Sequence, residues 1–290
     1  MKNIICLKKI GFYQLMLKKQ RLDILIVEKG LLKSREIAQS AIIQGAVLVN
    51  DQKITKPGIK VDTDSAIKFC NWFIQPKYVS RAGYKLEKAL QYFKISPENE
   101  ICLDIGASTG GFTDCLLQHK AQKVYAIDVG YGQIDWKLRQ DKRVSVIERT
   151  NIRYLKRENL YANEDIASLA AIDLSFISLT KIIEAVLDLL NKNAKIICLI
   201  KPQFECSKEL IEKGGIIKNP QTHLMTVESV VKKFSCLNLD LLDLTYSPIK
   251  GGSGNIEFLA YFNLNENLKV SSDVNSIDIK SIVKRAHEEL

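Results

Sequence analysis

Four ionisable residues, Lys85, Asp173, Lys201 and Glu257, are spaced so that an alternating strand and helix pattern would gather them in one place. Lys85 lies in Ser80-Arg-Ala-Gly-Tyr-Lys85, Asp173 ends one apolar run, Lys201 ends the next, and Glu257 opens the last. Open α/β sheets bind ligands in the crevice outside the carboxyl ends of their strands, where Asp173 and Lys201 would stand. Any one of the four also reads as an ordinary surface charge at a strand end. As a set they interrupt apolar strands at one edge, and they suit a reaction that takes a proton from a weakly acidic hydroxyl. Such a hydroxyl must lose its proton as it attacks, and a lysine serves as base when burial and a second cation lower its pKa while carboxylates orient it. On this reading Lys201 is the base, Asp173 orients Lys201 and the hydroxyl, and Lys85 and Glu257 flank them.

The electrophile is suggested by the turn Asp104-Ile-Gly-Ala-Ser-Thr-Gly-Gly111, which follows an apolar strand and precedes an apolar helix. Gly106, Gly110 and Gly111 let backbone approach a ligand and the helix approach the sheet, with Ser108 between them. The dinucleotide fingerprint G-x-G-x-x-G is not matched, because position 108 is Ser and the turn opens with Asp104. S-adenosylmethionine (SAM) has no pyrophosphate but carries an ammonium, so an acidic strand end beside this turn suits its methionine half. Asp128, one βαβ step later, is placed to accept both ribose hydroxyls, and Asn151 falls after the third strand, near an adenine. The acceptor is narrowed by what is missing. Asp173-Leu-Ser-Phe176 lacks the two prolines that amine methyltransferases carry at this point, and no Pro-Cys nucleophile follows the strand. A hydroxyl remains, and a ribose 2′-hydroxyl attacking a methyl needs in-line placement more than acid–base power.

The elements that would position these residues are legible as periodicity. Helical patterns over Ala82 to Phe93, Gly111 to His119, Leu179 to Leu190 and Gln221 to Phe234 alternate with short apolar strands. The strands are Ile101 to Leu103, Val124 to Asp128, Val144 to Ile147, Leu169 to Leu174, Ile196 to Lys201, Leu239 to Tyr246 and Ile256 to Phe262. This predicts a Rossmann-like α/β domain over 80–264 with a mostly parallel seven-stranded sheet. A tail over 265–290 offers a peripheral helix from Ile277 to Glu289. Ahead of it all, 16–69 reads as a small α+β module. Leu22, Leu25 and Ile26 share one helix face, Ser34 caps a helix from Arg35 to Gln44, Gly45 ends it, Val47 to Ile54 forms a hairpin, and Val61 to Phe69 a further strand. Residues 70–79, with Pro76 and three aromatics, form a linker that packs. The leader 1–15 has lysines breaking its apolar stretch and no small-residue cleavage site, so it does not read as a signal peptide; a start at Met16 or a floppy extension accounts for it.

Bulk properties restrict the function classes. A formal charge of +9 over 290 residues favours a polyanionic partner, since each cation near a phosphate releases counterions. The seven cysteines contain no C-x-x-C pair and read as reduced thiols of a cytoplasmic protein, and three histidines are too few for a convincing His/Cys metal site. No apolar run is long enough to span a bilayer.

The order of residues R-L-D-x-x-L, then S-R-x-x-A-x-x-x-I-x-x-G-x-V-x-V-N, then K-P-x-x-x-V resembles the RNA-binding domain shared by ribosomal protein S4, bacterial pseudouridine synthases and some rRNA methyltransferases. That resemblance implies that Arg21, Ser34, Arg35 and Lys53 face the RNA backbone. The Lys85, Asp173, Lys201, Glu257 set resembles FtsJ-type ribose 2′-O-methyltransferases. Joined to an S4-like module it is similar to the TlyA, or haemolysin A-like, family, on the segments Tyr78-Val-Ser-Arg-Ala-Gly-Tyr-Lys85, Asp173 to Leu179, Lys201 to Glu205, Gly214 to Pro220 and Ser247 to Glu257. The family implies methylation of cytidine 2′-hydroxyls in 16S and/or 23S rRNA, with SAM as cofactor and ribosomal RNA or subunits as partner. Asn71-Trp72-Phe73 in the linker matches no family motif. Two other readings are a haemolysin or cytolysin, which would need a secretion signal and a membrane-inserting amphipathic segment that are not evident, and a non-catalytic RNA-binding ribosome-assembly factor, against which the intact tetrad counts. A small-molecule O-methyltransferase would leave the S4-like module without a task.

Overall fold

The computed structural model describes residues 19–161, 166–264 and 277–290. The leader 1–15 and most of the stretch that joins the last strand to the C-terminal helix lie outside the described residues. The chain divides into two compact units, one ending at Lys77 and the other running from Tyr78 to Leu290.

In the smaller unit β1 (Lys19–Arg21) leads into α1 (Leu22–Glu28) and α2 (Arg35–Ile43), followed by β2 (Val47–Val49), β3 (Gln52–Ile54), β4 (Lys60–Asp62) and β5 (Ile67–Phe69). Ser34 caps α2 as the sequence suggests, its Oγ accepting from Ile37 N at 3.3 Å. Asn50 and Asp51 both adopt positive φ, 50° and 63°, giving the primed turn that matches the twist of the β2–β3 hairpin. The expected single strand from Val61 to Phe69 is two: β4 pairs with β1 and β5 with β2, because the chain turns at Ser65, whose N–H donates to Asp62 O. Leu22, Ile26, Ala38, Ile42 and Val47 form the core, and Phe73 of the linker stacks on Phe69 at 5.2 Å.

The larger unit contains α3 (Ala82–Tyr92), β6 (Ile101–Ile105), α4 (Gly111–Gln118), β7 (Lys123–Ile127), α5 (Trp136–Gln140), β8 (Val144–Ile147), α6 (Arg157–Tyr161), β9 (Ala167–Ile172), α7 (Ile183–Leu187), β10 (Leu190–Ile200), α8 (Pro202–Glu205), α9 (Pro220–Ser235), β11 (Leu239–Tyr246), β12 (Phe258–Leu264) and α10 (Ile279–Glu289). Its seven strands run in the order β11-β12-β10-β9-β6-β7-β8. β12 is antiparallel to both neighbours, and every other pairing is parallel. β6 lies between β7 and β9, so the winding direction reverses beside it. The crevice at such a reversal is where doubly wound sheets take ligands, and it is flanked by Asp104 on β6 and by Asp173 just beyond β9.

Two more expectations are corrected in this unit. The helix expected from Leu179 to Leu190 is a 3₁₀ turn at Leu179–Lys181 followed by the short α7, and Leu190 already opens β10. Asn193, at a φ of 62°, accompanies a register shift between Leu190 and Lys195 that an apolar count cannot show. The C-terminal helix is not peripheral: Ile282, Val283 and Ala286 of α10 are buried in the same core as Val227 and Val230 of α9 and Leu244 of β11.

Candidate active site

Asp104 is 0% exposed, and its Oδ2 accepts from Thr113 N at 2.8 Å and Thr113 Oγ1 at 2.6 Å. Burial pushes its carboxyl up to about 7, against the pull of both Thr113 bonds. Through Oδ2, Asp104 pins the first turn of α4 to the end of β6 and shapes the turn from beneath, while its Oδ1 is buried with no hydrogen-bond partner. Gly106 sits at φ 90°, and a Cβ there would overlap the Asp173 carbonyl oxygen, so this glycine lets the loops after β6 and β9 meet. At Gly110, φ 93°, a Cβ would overlap Leu138, and Gly111 lies directly under Ser80.

Ser108 N donates to Asp128 Oδ2 at 2.8 Å, and Gly130 N donates to Asp128 Oδ1 at 2.6 Å. Asp128 thus ties the two loops together while each carboxylate oxygen keeps lone-pair capacity for a hydroxyl donor. Asn151 is drawn away to a local task, its Oδ1 accepting from Arg153 N at 3.1 Å to cap a 3₁₀ turn. Above the turn lies a cleft of about 170 Å³ whose lining includes Gly106, Ser108, Phe112, Asp173, Ser175 and Lys201. The Gly-rich turn and part of the ionisable set therefore share one cavity. A roomier cavity of about 450 Å³ between α9 and α10 is lined by Leu224, Val283 and His287 together with Asp278, Lys280, Lys284 and Glu288, whose charges, unlike those of the first cleft, are exposed to solvent.

The four ionisable residues form two pairs. Lys85 Nζ donates to Glu257 Oε2 at 2.6 Å, and Lys201 Nζ lies 2.6 Å from Asp173 Oδ1. Lys85, Lys201 and Glu257 are all buried. Burial raises the Glu257 carboxyl, the Lys85 ammonium opposes that rise, and Lys201 and Asp173 also act on it, so the two pairs form one electrostatic cluster. Buried pairs of this kind are costly to break, because the remaining partner keeps its desolvation penalty.

Three residues that the sequence pattern does not single out complete the site. Ser175 Oγ accepts from Lys201 Nζ at 2.8 Å. Glu205 accepts from Ser178 Oγ at 2.6 Å and Leu179 N at 2.8 Å, and its burial lifts its pKa. Asn255, buried beside Glu257, accepts from Ile217 N at 2.9 Å and donates to Gly215 O at 2.8 Å, clamping the 214–220 segment to the 247–257 loop. All three lie inside the segments that carry the family resemblance, and that is the signal by which they could be found. Phe176 is 89% exposed beside Ser175, its ring 5.1 Å from that of Phe204.

In the smaller unit the residues expected to face RNA are organised by an acid. Asp23 is 0% exposed; it accepts from Arg21 Nε at 3.0 Å and Arg21 Nη2 at 2.9 Å, from Arg35 Nε at 2.9 Å and from Gln39 Nε2 at 2.7 Å. The Arg21 bonds foremost hold its carboxyl well below the usual range. Arg21 and Arg35 stay 41% and 47% exposed. Ser34 is committed to its helix cap, and the exposed Lys53 lays its stem over Gly45.

Residues 78–264 match the FtsJ-like methyltransferase family and residues 20–67 the S4 domain. YqxC of Bacillus subtilis is 42% identical over 273 residues, covering 94% of this chain and 96% of YqxC. The 16S/23S rRNA (cytidine-2′-O)-methyltransferase TlyA of Mycobacterium tuberculosis is 38% identical over 246 residues, covering 85% of this chain and 90% of that protein. A solved structure from Streptococcus thermophilus, described as a hemolysin, superposes with a TM-score of 0.72 at 41% identity, covering 94% of this chain and 97% of its own. The chain belongs to the TlyA, or haemolysin A-like, family, in which an S4 domain is joined to an FtsJ-like methyltransferase domain.

Proposed function

We propose that the protein transfers the methyl group of SAM to the 2′-hydroxyl of a cytidine in ribosomal RNA, in the cytoplasm. The observation that carries this reading is the shared cleft, in which the turn from Gly106 to Phe112 faces Lys201 and Asp173. The site fits the cofactor: a Cβ-free Gly106, the Ser108 backbone and the amide-tethered carboxylate of Asp128 make a cradle for a nucleoside bearing a sulfonium, which when bound supplies the electrophilic methyl. The chain's own groups do the rest. The target hydroxyl loses its proton to the Lys201–Asp173 pair as its oxygen attacks, and the buried Lys85–Glu257 pair, electrostatically coupled to the first, balances its own charges. Exposed Phe176 offers a flat apolar face beside the acceptor position, the kind of surface on which an unstacked base rests. Arg21 and Arg35 offer two guanidinium forks to phosphates in the S4 domain.

The test is transfer of labelled methyl from SAM into ribosomal subunits or naked rRNA by the purified protein. Lys201→Ala and Asp173→Ala are expected to abolish transfer while SAM still binds. Label recovered on a base instead of a ribose would overturn the proposal. The Lys201–Asp173 pair lining the cleft, with the buried Lys85–Glu257 pair coupled to it, favours catalysis over a purely scaffolding role in ribosome assembly.

A further inference from the structure

Lys201 has two unlike partners. The Asp173 carboxylate lies 2.6 Å away, yet its Oδ1 takes part in no aligned hydrogen bond, so Asp173 supplies charge. The directed bond from Nζ goes to Ser175 Oγ at 2.8 Å. An ammonium or amine turns freely about its Cε–Nζ bond unless an aligned partner fixes it, and here that partner is a serine hydroxyl. Ser175 is itself held in place by the loop that follows it. Phe176, immediately after it, adopts a φ of 66°, which bends the chain sharply for a residue bearing a Cβ. Three and four residues beyond Ser175 the loop is anchored by Glu205, which accepts from Ser178 Oγ and Leu179 N and belongs to α8, the helix that begins next to Lys201. The loop after β9 and the segment after β10 are thus joined at two points, Ser175 to Lys201 and Ser178 to Glu205. Ser175 also lines the cleft with Gly106, Ser108 and Phe112, so its hydroxyl is on the side from which an acceptor must arrive.

We propose that Ser175 is a positioning residue for the methyl transfer: its Oγ fixes the rotation of Lys201 Nζ, so that the remaining tetrahedral position on that nitrogen points at the incoming 2′-hydroxyl. For this step Lys201 enters as the neutral amine, having given one proton to solvent: the hydroxyl's O–H bond breaks, its proton joins the nitrogen lone pair at that position as a new N–H bond, the oxygen keeps the electron pair for its attack on the methyl carbon, and the resulting ammonium beside Asp173 keeps its bond to Ser175. The inference rests on the methyltransferase reading, because it needs an acceptor hydroxyl in the cleft. The titratable groups that face Lys201 are Asp173, Glu257 and Lys85, and none of them offers the aligned bond that Ser175 does.

The experiment compares full-length wild type, Ser175→Ala and Ser175→Thr, with SAM and ribosomal subunits as substrates. Ser175→Ala is expected to lower kcat about tenfold with the KM for RNA and the Kd for SAM within about twofold, and to move the pH profile of kcat; Ser175→Thr, which keeps a hydroxyl, recovers most of the loss. Wild-type kcat and pH profile in Ser175→Ala would overturn the inference, as would a loss confined to SAM affinity, which would make Ser175 a cofactor contact. A second measurement is independent of turnover: NMR of the lysine side chains, in which Ser175→Ala moves the Lys201 Cε–Nζ resonances while those of Lys85 stay put. Unchanged Lys201 resonances would overturn it even if the wild type proved inactive on RNA, a result that by itself would sink the methyltransferase reading instead.

Discussion

In the smaller unit a single carboxylate, Asp23, is buried completely and spends its hydrogen bonds on arginines that stay almost half exposed. In the larger unit the acids and the bases are buried together, Glu257 with Lys85 and Asp173 with Lys201. The first arrangement aims positive charge outward and suits a polyanion that approaches from solvent. The second keeps charge inside a cleft, where the low dielectric strengthens every interaction and no net charge is left for solvent to screen. Both arrangements use buried carboxylates, and the difference lies in whether the cation shares the burial. A surface that grips phosphate can tolerate water; a site that moves a proton cannot.

The largest expected effect tests the closed half of this contrast. Lys85→Met should leave Glu257 buried without its partner and cost about 3–5 kcal/mol of stability. The double variant Lys85→Met, Glu257→Leu should recover most of that loss in a denaturant melt, yet neither variant should transfer methyl groups. Full activity in the stable double variant would mean that the pair is only packing.

A second break is set by pH, and it separates the two units. His223 is fully buried in α9, and its Nδ1 is 2.8 Å from Nε2 of His287 in α10, with no carboxylate in the pair. Burial first, and then His287, brings His223 down to about 4. For a base with a lowered folded pKa, the unfolded chain binds the extra proton first as pH falls below its ordinary value near 6.5. Stability is therefore full above about 6.5 and declines down to about 4, by roughly 2–3 kcal/mol for this one group. Asp23 behaves in the opposite way: its contribution is present above the ordinary carboxylate value and survives until pH falls through its depressed folded value. Thermal melts at pH 5 and pH 7.5 should show the larger unit weakened and the smaller one unchanged. His223→Gln with His287→Leu should remove most of that dependence.

Much of this was legible in the chain. Strand periodicity located all seven strands of the large sheet, and the turn after Asp104 was readable because glycines at Gly106 and Gly110 answer to backbone geometry alone. Asp173, Lys201 and Glu257 could be chosen because charges are rare at the ends of buried strands, whereas Lys85, inside α3, was marked by the Ser80-Arg-Ala-Gly-Tyr-Lys85 run. What escaped depends on distances that sequence spacing does not encode. Asp104 reads the same whether its carboxylate lines a cleft or is sealed under Thr113. Ser175, Glu205 and Asn255 matter because loops distant in sequence meet, and Asp23 reads as one acid among basic neighbours until α1 and α2 pack and place Arg35 and Gln39 on it. The burial of α10 is hard to read because its buried stripe is only Ile282, Val283 and Ala286, with exposed Lys284 and Arg285 between.

The smaller effects test the open half of the contrast, where alignment and charge give opposite signs. Asp23→Asn removes one negative charge from the cluster, so if charge alone governed RNA binding the affinity would rise. If the buried carboxylate serves to hold the two forks, affinity should fall about tenfold despite the added positive charge, because hydrogen bonds to a charged acceptor are lost. Binding of a labelled rRNA fragment, followed by anisotropy across a salt series, separates the two, and SAM affinity should not change in either case. Arg21→Lys is the finer version and carries the smallest effect, about threefold. It preserves the charge, so the salt slope should stay the same, but it loses the two-pronged contact with Asp23 and with it the fixed orientation of the head group. A wild-type affinity in Arg21→Lys, with a rise in Asp23→Asn, would reduce the smaller unit to a simple basic patch and leave its buried acid with no part in RNA binding.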